Sequence, residues 1–234
     1  MSRACCVTTA SIPNPEQLAM PPLIAMWSLF DRRRAPRRSA VLSLLPLDAT
    51  LFPGGRLALR VSEPRLIALA QARVDDGARF GVVTRTATDA AGRGFAAVGT
   101  AARIRAHEVA SDGAWQLDVV GEDRFEIVRS SLGRSGLHHA GVRWIRPEPR
   151  LTLPVEYREL GRLLARLVEQ HPSRFAEPIA LDDAGWVGSR LAEVLQIPIA
   201  IKQGMLEIND AALRLKTIAE LLGRGHGAGA LDAP

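Results

Sequence analysis

The sequence predicts an α+β chain in which a β-rich half comes first and a helical half follows. Three observations carry this. From Leu42 to Ile145 short apolar runs alternate with Gly, Asp and Pro punctuation, the mark of strands and tight turns. Within that stretch only residues 66–74 show a helical spacing of apolar side chains. After Pro154 the period becomes 3.6 and stays so, interrupted by proline and by acidic caps.

Residues 41–147 hold the strands. Leu42, Leu44, Leu45 and Leu47 form a first run, with Pro46 inside it. Pro53-Gly54-Gly55 is a turn, because proline presets φ and glycine accepts positive φ. Leu57, Leu59 and Val61 alternate with Ala58 and Arg60, as a half-buried strand does. Ser62 or Glu63 then caps a helix whose first turn tolerates Pro64. Leu66, Ile67, Leu69, Ala70 and Val74 give it one apolar face, and Asp75-Asp76-Gly77 stops it.

Phe80-Gly81-Val82-Val83 is continuous rather than alternating, which suits a central strand covered on both faces. Thr86–Gly94 is a loop by composition. Four further strands are expected: Val98–Val109, Trp115–Val120, Arg124–Val128 after Gly121-Glu122-Asp123, and His139–Ile145. Asp112-Gly113 joins the first two as a hairpin.

Residues 148–223 hold the helices. Tyr157, Leu160, Leu163, Leu164, Leu167 and Val168 share a face that ends before His171-Pro172. Asp182-Asp183 opens a second helix carrying Trp186, Val187, Leu191, Val194 and Leu195. Ala200–Leu206 is a third, after the break at Ile197-Pro198. Asn209-Asp210 caps a fourth, with Leu213, Leu215, Ile218, Leu221 and Leu222, and Gly223 is expected to end it. Residues 224–234 read as a flexible tail and residues 1–40 as a poorly ordered basic extension.

Charge is unevenly placed. The chain carries +5 overall, yet residues 1–40 hold Arg3, Arg32, Arg33, Arg34, Arg37 and Arg38 against Glu16 and Asp31. The body is therefore nearly neutral, and the pI of about 10.1 owes most to the extension. A nucleic-acid-binding body would keep a basic face after that subtraction. Arg37-Arg38 precedes a short apolar stretch without the cleavage site of an export signal. No apolar run reaches the length of a membrane span. The two cysteines, Cys5 and Cys6, are adjacent and offer no disulfide framework, which suits a reducing cytoplasm.

No catalytic constellation can be assembled. His107, His138, His139, His171 and His226 are scattered, without acidic or cysteine partners at ligand spacing, so no metal and no cofactor is expected. Ser135 sits in Gly133-Arg134-Ser135-Gly136, which lacks nucleophile-elbow spacing. Glu63, Arg65 and Arg124 are charges set among apolar residues, where a charge should be paired. Glu63 is expected to pair with Arg65 or Arg124 and so lock helix to sheet. Trp115, Trp144 and Trp186 fall on apolar faces and are expected in the core.

Leu45-Pro46-Leu47, Leu51-Phe52-Pro53-Gly54, Leu57-Ala58-Leu59 and Glu63-Pro64-Arg65 follow one another in a set order. Phe80-Gly81-Val82-Val83, Gly99-Thr100, Asp112-Gly113 and Gly121 before Arg124-Phe125 continue it. In the helical half come Leu191-Ala192-Glu193-Val194-Leu195 and Lys202-Gln203-Gly204-Met205-Leu206-Glu207, then Leu213-Arg214-Leu215. Over residues 41–223 this order resembles the N-terminal substrate-binding domain of Lon proteases. The resemblance implies a PUA-like β pseudo-barrel followed by a helical bundle, and a non-catalytic module that recognises protein substrates.

No G-x-x-x-x-G-K-[ST] phosphate cradle occurs in the 234 residues, so a stand-alone module without ATPase or protease parts is expected. Its implied partners are unfolded or extended protein segments, and a protease or chaperone. An exposed patch at Phe52, Pro53 and Gly54 would suit such segments. The alternative is a nucleic-acid-binding PUA-like module gripping through the basic arm, disfavoured by the near-neutral body and an aromatic content of 5%.

Overall fold

The computed structural model describes residues 39–89 and 92–228. The basic extension therefore lies outside the described residues up to residue 38, and Ser39 and Ala40 already belong to the first strand. The elements in order are β1 (Ser39–Leu47), β2 (Arg56–Val61), α1 (Pro64–Asp76), β3 (Phe80–Thr84), β4 (Val98–Val109), β5 (Trp115–Leu132) and β6 (His138–Trp144). Then come α2 (Arg158–Gln170), α3 (Ala184–Val194), α4 (Ile199–Glu207) and α5 (Ala211–Ala228), with short 3₁₀ turns at Val155–Tyr157 and Pro172–Arg174.

The strands lie in the order β2-β5-β4-β3-β1-β6, and β5 also pairs with β6. That second pairing closes five strands into a ring, and β2 flanks it on β5. Closure is possible because β5 is 18 residues long. Its first half pairs with β2 and β4, and its second half pairs with β6 from Phe125↔Trp144 to Leu132↔His138. Two separate strands were expected over this stretch, with Gly121-Glu122-Asp123 between them. The chain instead continues as one strand, with a register shift against β4 between Gly121 and Arg124. Gly121 is needed for close approach rather than for a turn: a Cβ there would sit 2.3 Å from the Phe52 carbonyl.

β3 lies between β1, which it meets in parallel, and β4, which it meets antiparallel, and all five of its residues are buried. This is the central strand that its unbroken apolar run implies. α1 starts at Pro64 and stops at Gly77, whose φ of 60° is the left-handed conformation that favours glycine. Its Leu69 and Ala70 are buried, and Leu66 and Ile67 join Leu45, Val61, Phe80 and Leu117 in a core at one end of the barrel. A second barrel core gathers Leu42, Leu44, Val83, Phe125 and Val142.

The helices form a third core. Leu164, Val187, Leu191, Met205, Leu206, Leu215 and Ile218 are all buried there. Asp183 caps α3 by accepting from Trp186 N–H at 2.9 Å, and Asp210 caps α5 by accepting from Leu213 N–H at 3.0 Å. α5 does not stop at Gly223. It continues to Ala228, so the first part of the expected tail is helical.

Candidate functional site: the junction of barrel and helices

The barrel reaches into the helical core through Phe52, with Val98 of β4 packed against the same core. Phe52 is fully buried and belongs to the core of Leu164, Val187, Leu191 and Met205, not to either barrel core. The exposed patch expected at this residue is therefore absent. Only Pro53 of the turn is exposed, because the phenyl ring points inward between the helices, where burying it is worth most.

Two α3 side chains hold the turn in place. Arg190, with 1% of its surface exposed, donates from Nη2 to the Pro53 carbonyl at 2.8 Å. Glu193 accepts from Phe52 N–H through Oε1 at 3.2 Å, and from Arg190 Nη2 at the same distance. Gly55 leaves room for this carboxylate, since a Cβ there would lie 2.0 Å from Oε1. Burial pushes the Glu193 carboxyl up to about 7, against the opposing pull of Arg190, the Phe52 N–H, Lys202 and Arg174. Burial also lowers the Arg190 guanidinium, with Glu193 acting in the opposite sense.

A second clamp lies across the junction. Arg124 on β5 is 5% exposed and does not meet Glu63. It donates from Nη1 to the carbonyls of Leu206 at 2.7 Å and Ile208 at 2.9 Å, and from Nη2 to Asn209 Oδ1. Its counter-ion is Glu148, 3.2 Å away, which also takes two hydrogen bonds from Arg214 of α5. Desolvation lowers the Arg124 guanidinium, Glu148 raises it, and Arg214 lowers it further. Two buried arginines around one carboxylate thus join strand, linker and helices.

Glu63 pairs with Arg65, as one of the two expected arrangements has it, at 2.7 Å from Nη2 and 2.8 Å from Nε. Both side chains are about half exposed, and Arg65 Nη1 reaches the Gly136 carbonyl at 3.0 Å. This links the start of α1 to the β5–β6 turn, beside a cavity of about 200 Å³. Phe125 has no exposed surface. Its ring lies over Gly81 and Gly99, where added Cβ atoms would come within 2.7 and 2.8 Å of Cζ. Of the expected site residues, Pro53, Gly54 and Arg124 share one concavity, Glu63 and Arg65 share another, and Phe52 and Phe125 are core.

The shared concavity is a groove of about 310 Å³ between barrel and bundle. Pro53, Ile145, Pro147, Ala176, Pro178 and Trp186 give it an apolar lining. Trp186 is half-buried rather than core, and packs beside Phe175 with centroids 6.5 Å apart. Charges at the rim largely neutralise one another: Arg124 with Glu148, Arg79 with Asp123 at 3.1 Å, and Arg150 with Asp183 at 3.6 Å. Ser189 is the one hydroxyl in the lining, and neither a histidine nor a lysine accompanies it as a base. Among the described residues no group of His, Cys, Asp and Glu is arranged to hold a metal ion.

Sequence reasoning missed Arg190, Glu193, Glu148, Arg214 and the exposure of Trp186. A signal existed for two of them. Arg190 and Arg214 each interrupt an apolar helical face, one turn from Val187 and Val194 and from Ala211 and Ile218. Glu148, between two prolines in a linker, gave none.

Comparison with known proteins matches residues 41–224 to the family described as the ATP-dependent protease La (LON) substrate-binding domain. The chain is 28% identical over 230 residues to Lon protease 2 of Myxococcus xanthus, covering 88% of this chain and 26% of that protein. It is 29% identical over 195 residues to a Lon protease of Anaeromyxobacter dehalogenans, covering 79% and 23%. It spans about a quarter of the length of these curated relatives. A Lon N-terminal domain protein from Xanthomonas campestris is similar in structure, with a TM-score of 0.65 and 31% identity over 77% of this chain and 98% of that one. The N-terminal domain of a Mycobacterium avium complex Lon protease shares the fold, with a TM-score of 0.54 and 17% identity over 77% and 97%.

Proposed function

The chain belongs to the Lon substrate-binding domain family, and on that premise we propose that it is a non-catalytic polypeptide-recognition module whose contact surface is the groove between barrel and bundle. One observation carries the reading. The groove sets an apolar lining, with Trp186 and three prolines, beside charges most of which are paired. Such a surface suits apolar side chains of an extended or unfolded segment and offers no group poised for bond cleavage.

A segment bound here is substrate on its way to a protease or chaperone, as a step in protein quality control. No described helix is long and apolar enough to cross a membrane, and the cysteine usage supports work in the cytoplasm. Nucleic acid is the poorer ligand here: the groove lining carries five carboxylates against three guanidiniums.

The test is fluorescence anisotropy with a reduced, alkylated and permanently unfolded model protein. Ile145→Glu places a charge in the groove at a half-exposed position and should weaken binding by about tenfold. Equal affinity of the variant and the parent would remove the groove from the proposal.

A further inference from the structure

β2 leaves one edge open. Ala110 N–H donates to the Ala114 carbonyl at 2.8 Å, and Gly121 N–H donates to the Gly55 carbonyl at 2.9 Å. These bonds fix the phase of β5: Trp115, Leu117 and Val119 turn their main-chain groups toward β2, and the residues between them toward β4. Their partners Val61, Leu59 and Leu57 are therefore satisfied. Arg56, Ala58 and Arg60 point N–H and C=O away from the sheet. Among the described residues no strand pairs along that side.

The side chains do not cover this edge. Arg56 reaches over the sheet to Asp118, at 2.7 and 2.8 Å, and to the Ser173 carbonyl at 2.6 Å, and Arg60 folds back onto Asp112. Ala58 between them is exposed and small.

The Arg56 end of this edge opens on a cavity of about 300 Å³ that Arg56 and Leu57 line together with Arg174, Glu193 and Lys202. Lys202 spends one N–H on the Glu193 carbonyl at 2.8 Å and keeps two. The Arg174 guanidinium is exposed and makes no hydrogen bond or ion pair with a described residue, though it lies within electrostatic reach of Glu193. The Glu193 carboxylate is taken by Arg190 and the Phe52 N–H, and Asp48 at the rim is 86% exposed and faces Arg85. Two cations with unused donors thus stand at the end of an unpaired strand.

We propose that the open edge of β2 and this cationic cavity form one site for an extended acidic polypeptide segment, which adds as a further strand and places a carboxylate between Arg174 and Lys202. Main-chain pairing supplies affinity without sequence preference, and the cavity supplies the preference for acid. The site is separate from the apolar groove, and it rests on the reading above that the chain takes unfolded polypeptide.

The experiment uses the full chain and an acetylated octapeptide of alternating valine and threonine ending in two glutamates. N-methylation of the alternate peptide amides in one phase should weaken binding by about tenfold, and methylation in the other phase by less than about twofold. This signature leaves the protein untouched. Arg174→Glu, at an exposed position, and replacement of the peptide glutamates by glutamine should each cost about tenfold at low salt. Ala58→Pro removes only an outward N–H and should match the damaging methylation phase.

If the peptide binds but both methylation phases act alike, the strand-addition inference falls and the recognition reading stands. If neither the peptide nor the unfolded model protein binds the parent, both fall together. Displacement by a single-stranded oligonucleotide, with the same loss in Arg174→Glu, would mark a site that reads charge alone and would overturn the inference.

Discussion

Arg190 of α3 and Pro53 of the barrel turn are joined by one hydrogen bond, from Nη2 to the main-chain carbonyl at 2.8 Å. The guanidinium making it is 1% exposed, and its Nε and Nη1 have no partner among the described residues. So much buried charge is held for so few bonds because Glu193 lies beside it and fixes the same turn through Phe52 N–H. Turn, arginine and glutamate act as one unit, and the behaviour of each depends on the other two.

Removing the arginine should strand the carboxylate. At pH 8, Arg190→Met is expected to lower the unfolding free energy by about 3 kcal/mol, and adding Glu193→Gln should recover most of it. Urea denaturation of both variants measures this. A loss under about 1 kcal/mol in the single variant would show that the pair is not coupled in this way.

Glu193 should also set a pH dependence. Burial raises its carboxyl from 4.5 to about 7, so between those values the folded chain holds a proton that the unfolded chain releases. The stabilisation is complete below the lower value and is lost as pH rises through the upper one. Relative to Glu193→Gln, the parent should lose up to about 3 kcal/mol between pH 5 and pH 8. Parallel stability–pH curves for the two proteins would count against the shift.

Glu148 neutralises two arginines that are 5% and 1% exposed. Glu148→Ala leaves Arg124 and Arg214 facing each other and should cost about 3 to 5 kcal/mol. The damage should appear first as faster hydrogen exchange where Arg124 meets the carbonyls of Leu206 and Ile208. Unchanged exchange there would mean that the clamp does not join barrel to bundle.

Two glycines should respond oppositely to alanine. At Gly121 the new methyl would meet the Phe52 carbonyl at 2.3 Å, and a loss of about 3 kcal/mol is expected. At Gly204, inside α4, nothing lies within 4 Å, so alanine should stabilise by about 0.5 to 1 kcal/mol through helix propensity. Thermal melts of the pair report both signs at once.

Phe52→Ala should cost about 3 to 5 kcal/mol, because the ring fills the helical core. Binding of unfolded protein per folded molecule should stay the same, measured at a temperature where the variant remains folded. Lost affinity in that folded fraction would restore Phe52 as a contact residue.

Much of the fold was legible locally. The turn at Pro53-Gly54-Gly55, the stop at Gly77 and the caps at Asp183 and Asp210 come from residues acting on their immediate neighbours, and all are found where the pattern puts them. The Glu63–Arg65 pair is of the same kind, since its members are two positions apart. Where reading by neighbourhood failed, a distant partner decided. Gly121 looks like a break between strands until the Phe52 carbonyl arrives against it. Gly223 looks like a helix end, yet one glycine lowers helical propensity by only about 1 kcal/mol, and α5 continues past it.

By itself the sequence determined the succession of strands and helices and the family pattern, because hydrophobic period and turn chemistry act over a few residues. The tertiary structure alone decided that β5 closes the barrel, that Phe52 enters the helical core, and that Arg124 faces Glu148 instead of Glu63. It also decided that Glu193 titrates near neutrality. Phe52 and Glu193 stand 141 positions apart, and Arg124 and Ile208 stand 84 apart. No local period encodes such meetings. They exist once the chain path has taken both partners out of water, and that shared desolvation is what makes their charges and hydrogen bonds count.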